Sequence, residues 1–157
     1  MSVQDTYLRE HAVGFPGSVV NLGLKNIITK LAEASSIAPG LAVTRGTLDD
    51  QALLATATGA DFIGITVSTT AGQANGSDVF TYAEDDAMNV LDEGEIYVLC
   101  EDGCVPGDDV FFRHTISGNE VLGAFRTDAD TADADQIVGA TFESTAGAGE
   151  IAIVKLP

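Results

Sequence analysis

A few groups of polar residues in this sequence have spacings that could do chemistry. Asp128, Asp130, Asp133 and Asp135 crowd the stretch Thr127–Asp135 and invite a calcium reading. A calcium loop of the EF-hand kind needs oxygen ligands at its first, third and fifth positions, glycine at the sixth and glutamate at the twelfth. Counted from Asp128, the fifth position is Ala132 and the sixth Asp133, so the motif fails. The stretch reads as a solvated acidic loop, with weak divalent binding left open. Glu84-Asp85-Asp86 and Asp108-Asp109 are paired carboxylates of the sort that does acid–base work when burial raises one pKa. Carboxylates in turns are normally hydrated, and these are read that way. Cys100 and Cys104 are not a Cys-x-x-Cys pair, and no second Cys/His pair completes a zinc site. They read as packed, reduced thiols, with a disulfide across the intervening turn as the alternative. His11 and His114 are far apart in sequence, and His114 reads as an ordinary strand-end residue. There is no Gly-x-Ser-x-Gly elbow and no Gly-x-x-x-x-Gly-Lys phosphate cradle. The chemistry therefore argues against an enzyme, and for no cofactor and no bound metal.

The charge balance narrows the partners. The 157 residues include 24 acidic and 7 basic side chains, for a net charge of −17. Seven scattered bases cannot make the patch that direct nucleic-acid binding or an anionic membrane requires. The chain is nonetheless 45% hydrophobic, enough to close a core rather than remain disordered. The charge is lopsided. Residues 1–45 carry Arg9, Lys25, Lys30 and Arg45 against Asp5, Glu10 and Glu33, a sum of +1, so residues 46–157 hold −18. The first residues lack the basic start and apolar run of a signal peptide, and no apolar run is long enough to span a membrane. Synthesis and folding in a cytoplasm are expected.

Short β-branched runs separated by Gly, Asp and Asn turns must position whatever site exists. The pattern predicts strands over 41–45, 52–56, 62–67, 87–91, 95–100, 109–113, 121–124, 136–142 and 150–154. Alternation places Ile96, Val98 and Cys100 on a buried face, with Glu95, Tyr97 and Leu99 opposite. Ile151, Ala152, Ile153 and Val154 read as a central strand buried on both faces. Asp92-Glu93-Gly94, Glu101-Asp102-Gly103 and Val105-Pro106-Gly107-Asp108 read as tight turns, which argues for antiparallel pairing. Gly72–Asp78 reads as an exposed loop. Leu24, Ile27, Ile28 and Leu31 have helical spacing, so periodicity alone favours a helix over 24–34.

The ordered set of motifs goes further than any one of them. Gly14-Phe-Pro-Gly17 is followed by Ala38-Pro-Gly-Leu-Ala-Val-Thr-Arg-Gly-Thr47 and Asp61-Phe-Ile-Gly-Ile-Thr66. Then come Val90-Leu-Asp-Glu-Gly-Glu-Ile-Tyr-Val98, Pro106-Gly-Asp-Asp-Val-Phe-Phe112, Ile137-Val-Gly-Ala-Thr-Phe-Glu143 and Ala148-Gly-Glu-Ile-Ala-Ile-Val-Lys-Leu156. In this order they resemble the structural cement (capsid decoration) proteins of tailed bacteriophages, over about residues 13–156. The resemblance implies an all-β fold, an antiparallel jelly-roll-like sandwich or small barrel with an extended N-terminal segment. It also implies a strand at 24–34, and Thr29 and Lys30 suit an edge strand; we side with strand. The expected division is an N-terminal segment, 1–23, and a single β domain, 24–157.

The implied function is non-enzymatic. The protein would sit on the outer capsid surface of the virion and bind the phage major capsid protein. As a homo-oligomer, it would cement neighbouring subunits against internal DNA pressure. A dimer is favoured, being the commonest closed interface, with a trimer as the other choice. The near-neutral N-terminal segment supplies the capsid-contact candidates Val13, Phe15, Pro16, Val19 and Val20. Against this stands the reading that Phe15 and Val19 only cap the domain's own core. The alternative function is a virion-associated β module for receptor or glycan binding.

Overall fold

A computed structural model describes residues 14–20, 23–34, 36–69 and 80–157. Val13 and the loop Gly72–Asp78 lie outside the described residues. The described chain is all-β: β1 (Asn26–Ala32), β2 (Ala42–Arg45), β3 (Gln51–Leu53), β4 (Phe62–Thr66), β5 (Ala87–Cys100), β6 (Asp109–Arg113), β7 (Phe125–Arg126), β8 (Ala134–Phe142) and β9 (Glu150–Leu156). Among the described residues the helical element is a short 3₁₀ turn, Asp130–Ala132.

The strands close into two rings that share β5. The first ring runs β1–β3–β2–β4–β5 and returns to β1. The second runs β5–β7–β6–β8–β9 and returns to β5. The first half of β5 pairs with β1, from Asn26↔Glu93 to Leu31↔Ala87, and the second half with β9, from Gly94↔Leu156 to Cys100↔Glu150. Gly94 sits at the changeover with φ +123°, a conformation that a side chain disfavours. Its approach to Lys25 leaves a Cβ only 3.0 Å from that residue's Cβ. Asp92-Glu93-Gly94 is therefore no turn: it is the point where one long strand passes from one ring to the other.

Two cores follow from this plan. Ala32, Val43, Ala52, Tyr82, Met88 and Val90 fill the first ring. Ile96, Val98, Phe112, Phe125, Phe142 and Val154 fill the second, and Ala42, Ile65 and Leu91 join them from the outer face of the first. Because Val90 and Leu91 point into different cores, β5 is buried on both sides there.

Several expectations change. Within 24–34 the strand is Asn26–Ala32, against the helical period: pairing with β5 holds it extended, Ile28 packs on the first core and Ile27 stays 39% exposed. Only Leu31 and Ala32 pair with β3, so Asn26–Lys30, with Thr29 and Lys30, have a strand partner on the β5 side alone, as an edge would. Residues 121–124 form a turn, and the strand begins only at Phe125. β9 is central, but of residues 151–154 Ala152 and Val154 point inward, as Leu156 does further on, while Ile151 is 37% exposed. Pairing is mainly antiparallel, with two short parallel contacts, β1–β3 and β5–β7.

Candidate docking surface

The stretch Phe15-Pro16-Gly17-Ser18 has proline at the second position and glycine at the third, as a type II turn requires. Gly17 takes φ +84°, and Ser18 N donates to Phe15 O at 3.0 Å. Three backbone hydrogen bonds fasten the segment to β5: Gly17 N to Tyr97 O, Tyr97 N to Ser18 O and Val20 N to Glu95 O. Ser68 N also donates to Gly17 O. Gly17 and Gly40 meet so closely that a Cβ on Gly40 would lie 2.7 Å from Gly17 N.

This clamping divides the candidate contact residues. Val19 pairs with Ile96 and packs on the second core, as the core-capping reading expects. Pro16 and Val20 are half-buried. Phe15 is 58% exposed and stands at the rim of an apolar groove of about 340 Å³. Pro16, Pro39, Leu41, Phe80 and Leu99 complete the groove. Leu99 belongs to the outward face of β5, where it lies opposite Ile151 of β9.

On the other side of Leu99 lies a second, charged cleft of about 590 Å³. Arg113, at the end of β6, is 1% exposed. Its Nη2 lies 2.9 Å from Glu101 Oε2 and 2.7 Å from Asp130 Oδ2, and its Nη1 lies 3.2 Å from Glu120 Oε2. Arg126, on β7, reaches Asp130 and Asp128 at 2.8 Å each, and Glu101 at 3.4 Å. Burial works against the charge on Arg113, but the hydrogen bonds it donates to Glu101 and Asp130 outweigh it and raise its pKa. The same contact with Arg113, aided by Arg126, holds the Asp130 carboxyl below its usual range.

The acidic loop is thus no plain solvated turn. Asp130, Thr131 and Ala132 take φ of 41°, 57° and 77°, in the left-handed region. That geometry costs on the order of 1–2 kcal/mol per residue. The two arginines hold the Asp130 end of it in place. Sequence reasoning missed this cleft because the partners come from β6, β7 and the three loops that follow β5, β6 and β7. The available signal was Arg126 directly ahead of the aspartate run.

Other candidates resolve simply. Among the described residues no group of three or more His, Cys, Asp or Glu side chains is arranged to hold a metal. Cys100 and Cys104 are buried free thiols. Burial, then the nearby Cys104 and Asp102, push the Cys100 pKa up to about 12. His114 is buried, with Nδ1 3.0 Å from Thr115 Oγ1 and Nε2 3.6 Å from Asp135 Oδ1. Glu84, Asp85 and Asp86 are exposed.

Comparison with known proteins fits this architecture. A chain in the capsid structure of Myoviridae phage XM1 superposes with a TM-score of 0.79 at 16% identity, covering 99% of this chain and 98% of that one. The N base of head fibre gp8.5 of bacteriophage phi29 gives a TM-score of 0.44 at 13% identity, covering 85% and 95%. No curated protein matches. The family model described as structural cement protein (E217 gp24/Pam3 gp6) matches residues 3–156. With nearly the whole length matched, the chain belongs to the phage structural cement protein family.

Proposed function

We propose that this protein is a non-enzymatic virion component that docks on the outer face of a tailed-phage capsid and cements neighbouring major capsid subunits. The observation that carries the reading is the family match over residues 3–156. The geometry supports it. Phe15 and Pro16 are presented on a backbone already fastened to β5, so little ordering is left for the docking step. They, with Val20 and the neighbouring Val13, are the proposed capsid contacts, while Val19 acts from the core side.

Packaged DNA pushes a shell outward, and a clamp across subunit boundaries opposes their separation. An oligomer, a dimer in the simplest case, multiplies the effect: linked contacts raise avidity by about 10²–10⁴ over one contact. On the outer surface the protein never meets the DNA, so a net charge of −17 does not obstruct the role. The same charge keeps free copies apart in the host cytoplasm before assembly.

The test is co-sedimentation with expanded and unexpanded empty capsids of the phage that encodes the protein. Saturable binding to expanded shells at a fixed ratio to capsid subunits is expected, together with a raised shell-disruption temperature. A folded sample that fails to bind either shell would sink the proposal.

A further inference from the structure

The apolar groove and the charged cleft meet at Leu99, which lines both. We propose that this composite face captures an extended apolar segment of the capsid protein that carries a lysine or arginine. Its apolar side chains would lie between Phe15 and Phe80, and its basic side chain beyond Leu99, at the carboxylates of Glu120, Asp128 and Asp130. The inference rests on the capsid-docking reading above and adds the chemistry of the partner.

Three observations point to that occupant. Leu99 is 39% exposed in the middle of a strand, and its cross-strand neighbour Ile151 is also part-exposed, so the floor of the face is apolar. The cleft is lined by four carboxylates, Glu101, Asp102, Glu120 and Asp130, and Asp128 pairs with Arg126 beside it; against the guanidiniums of Arg113 and Arg126 these five leave three negative charges in excess. The most exposed of these carboxylates, Asp128 at 67%, leaves part of its surface open to an incoming cation. An apolar segment alone would bury that excess unpaired, which is costly; a basic side chain offsets it.

A second copy of this chain fits the face poorly. A two-fold axis along the line from groove to cleft sets the acidic half against its own like charges. An axis across that line sets it against the other copy's apolar groove. Neither arrangement supplies a cation. Val138 provides a control surface. It is 82% exposed on β8, which pairs with β6 and β9 across the second ring from Leu99.

The experiment compares binding of wild type, Leu99→Asp, Phe15→Ser, Asp128→Lys and Val138→Asp to expanded capsids, each variant first shown to melt cooperatively. Leu99→Asp and Phe15→Ser are expected to weaken binding at least about tenfold, as loss of a central anchor does. Asp128→Lys should weaken it less and flatten its dependence on salt. Val138→Asp should bind as wild type. The inference fails if wild type binds and both groove variants bind equally well, or if Val138→Asp loses as much. It also fails if Leu99→Asp lowers the sedimenting mass of the free protein, because the face would then join two copies. Absence of wild-type binding removes the docking reading itself, and this inference with it.

Discussion

The two rings share β5 and an interface where Ala42, Ile65 and Leu91 of the first pack on the core of the second, yet their interiors differ. The first closes over small side chains such as Ala32, Val43 and Ala52, with Met88 and Tyr82 as its bulk. The second closes over three buried phenylalanines, Phe112, Phe125 and Phe142, and wears the arginine–carboxylate cleft on its outside. Small side chains fill most of the first interior, and three aromatic rings, each with a large apolar area to bury, fill the second. The difference teaches that the bulky aromatic packing and the charged cleft both belong to the second ring. The first is joined to it through β5, the turn at Gly17, the Phe62–Phe112 ring contact and the bond from Ala42 N to Gly123 O.

The largest break in that comparison should come from Phe142→Ala, which removes a fully buried ring and should cost about 3–5 kcal/mol. Val43→Ala, in the first ring, should cost about 2 kcal/mol. Urea denaturation should show one transition for both variants, since β5 belongs to both cores; two separate transitions would break the picture of coupled rings. Arg113→Ala should cost about 3 kcal/mol, the lower end for leaving buried partners unpaired, because its carboxylates keep part of their water. Arg113→Met should recover some of that loss, and calorimetry of the pair would distinguish pairing from packing. Gly94→Ala forces a side chain into φ +123° and should cost about 1–3 kcal/mol, with hydrogen exchange rising at β1 and β9 together.

A smaller effect is expected from acid. The Asp130 pKa is depressed below 3.8 in the folded chain, so its ion pairs stabilise above that pH and are lost as pH falls through the lower, folded value. Melting midpoints of Asp130→Asn should therefore fall less steeply below pH ~3.8 than those of wild type. Smallest of all, Cys100 should resist alkylation at pH 8 until the chain unfolds, because its thiolate is suppressed.

Much of the architecture was legible in local pattern. The alternation of Ile96, Val98 and Cys100 located the inward face of β5, and 109–113 was bounded correctly from Val110-Phe-Phe112. What failed was any feature decided by a distant neighbour. Asp92-Glu93-Gly94 has turn composition, yet pairing with β1 and β9 holds it within a single strand. Ile27 and Ile28 fit a helical period, but pairing with the distant β5 makes the segment a strand even though Ile27 stays exposed. The position of Phe15 in a proline–glycine turn was readable, but its separation from Val19 was not. The charged cleft depends on Glu101, Arg113, Arg126 and Asp130 converging from separate elements, and no spacing rule marks them as partners.

One consequence follows from the shared strand in mechanical terms. β5 has 14 residues and is held along its length, by β1 at one end and β9 at the other. Antiparallel ladder bonds lie across the strand direction. A pull along β5 therefore loads those bonds in shear, many at once, whereas a pull across a strand end peels them one by one. The groove and the cleft meet at Leu99, near one end of this strand. Tension entering there passes lengthwise through the molecule into the other ring, the direction in which the fold yields least.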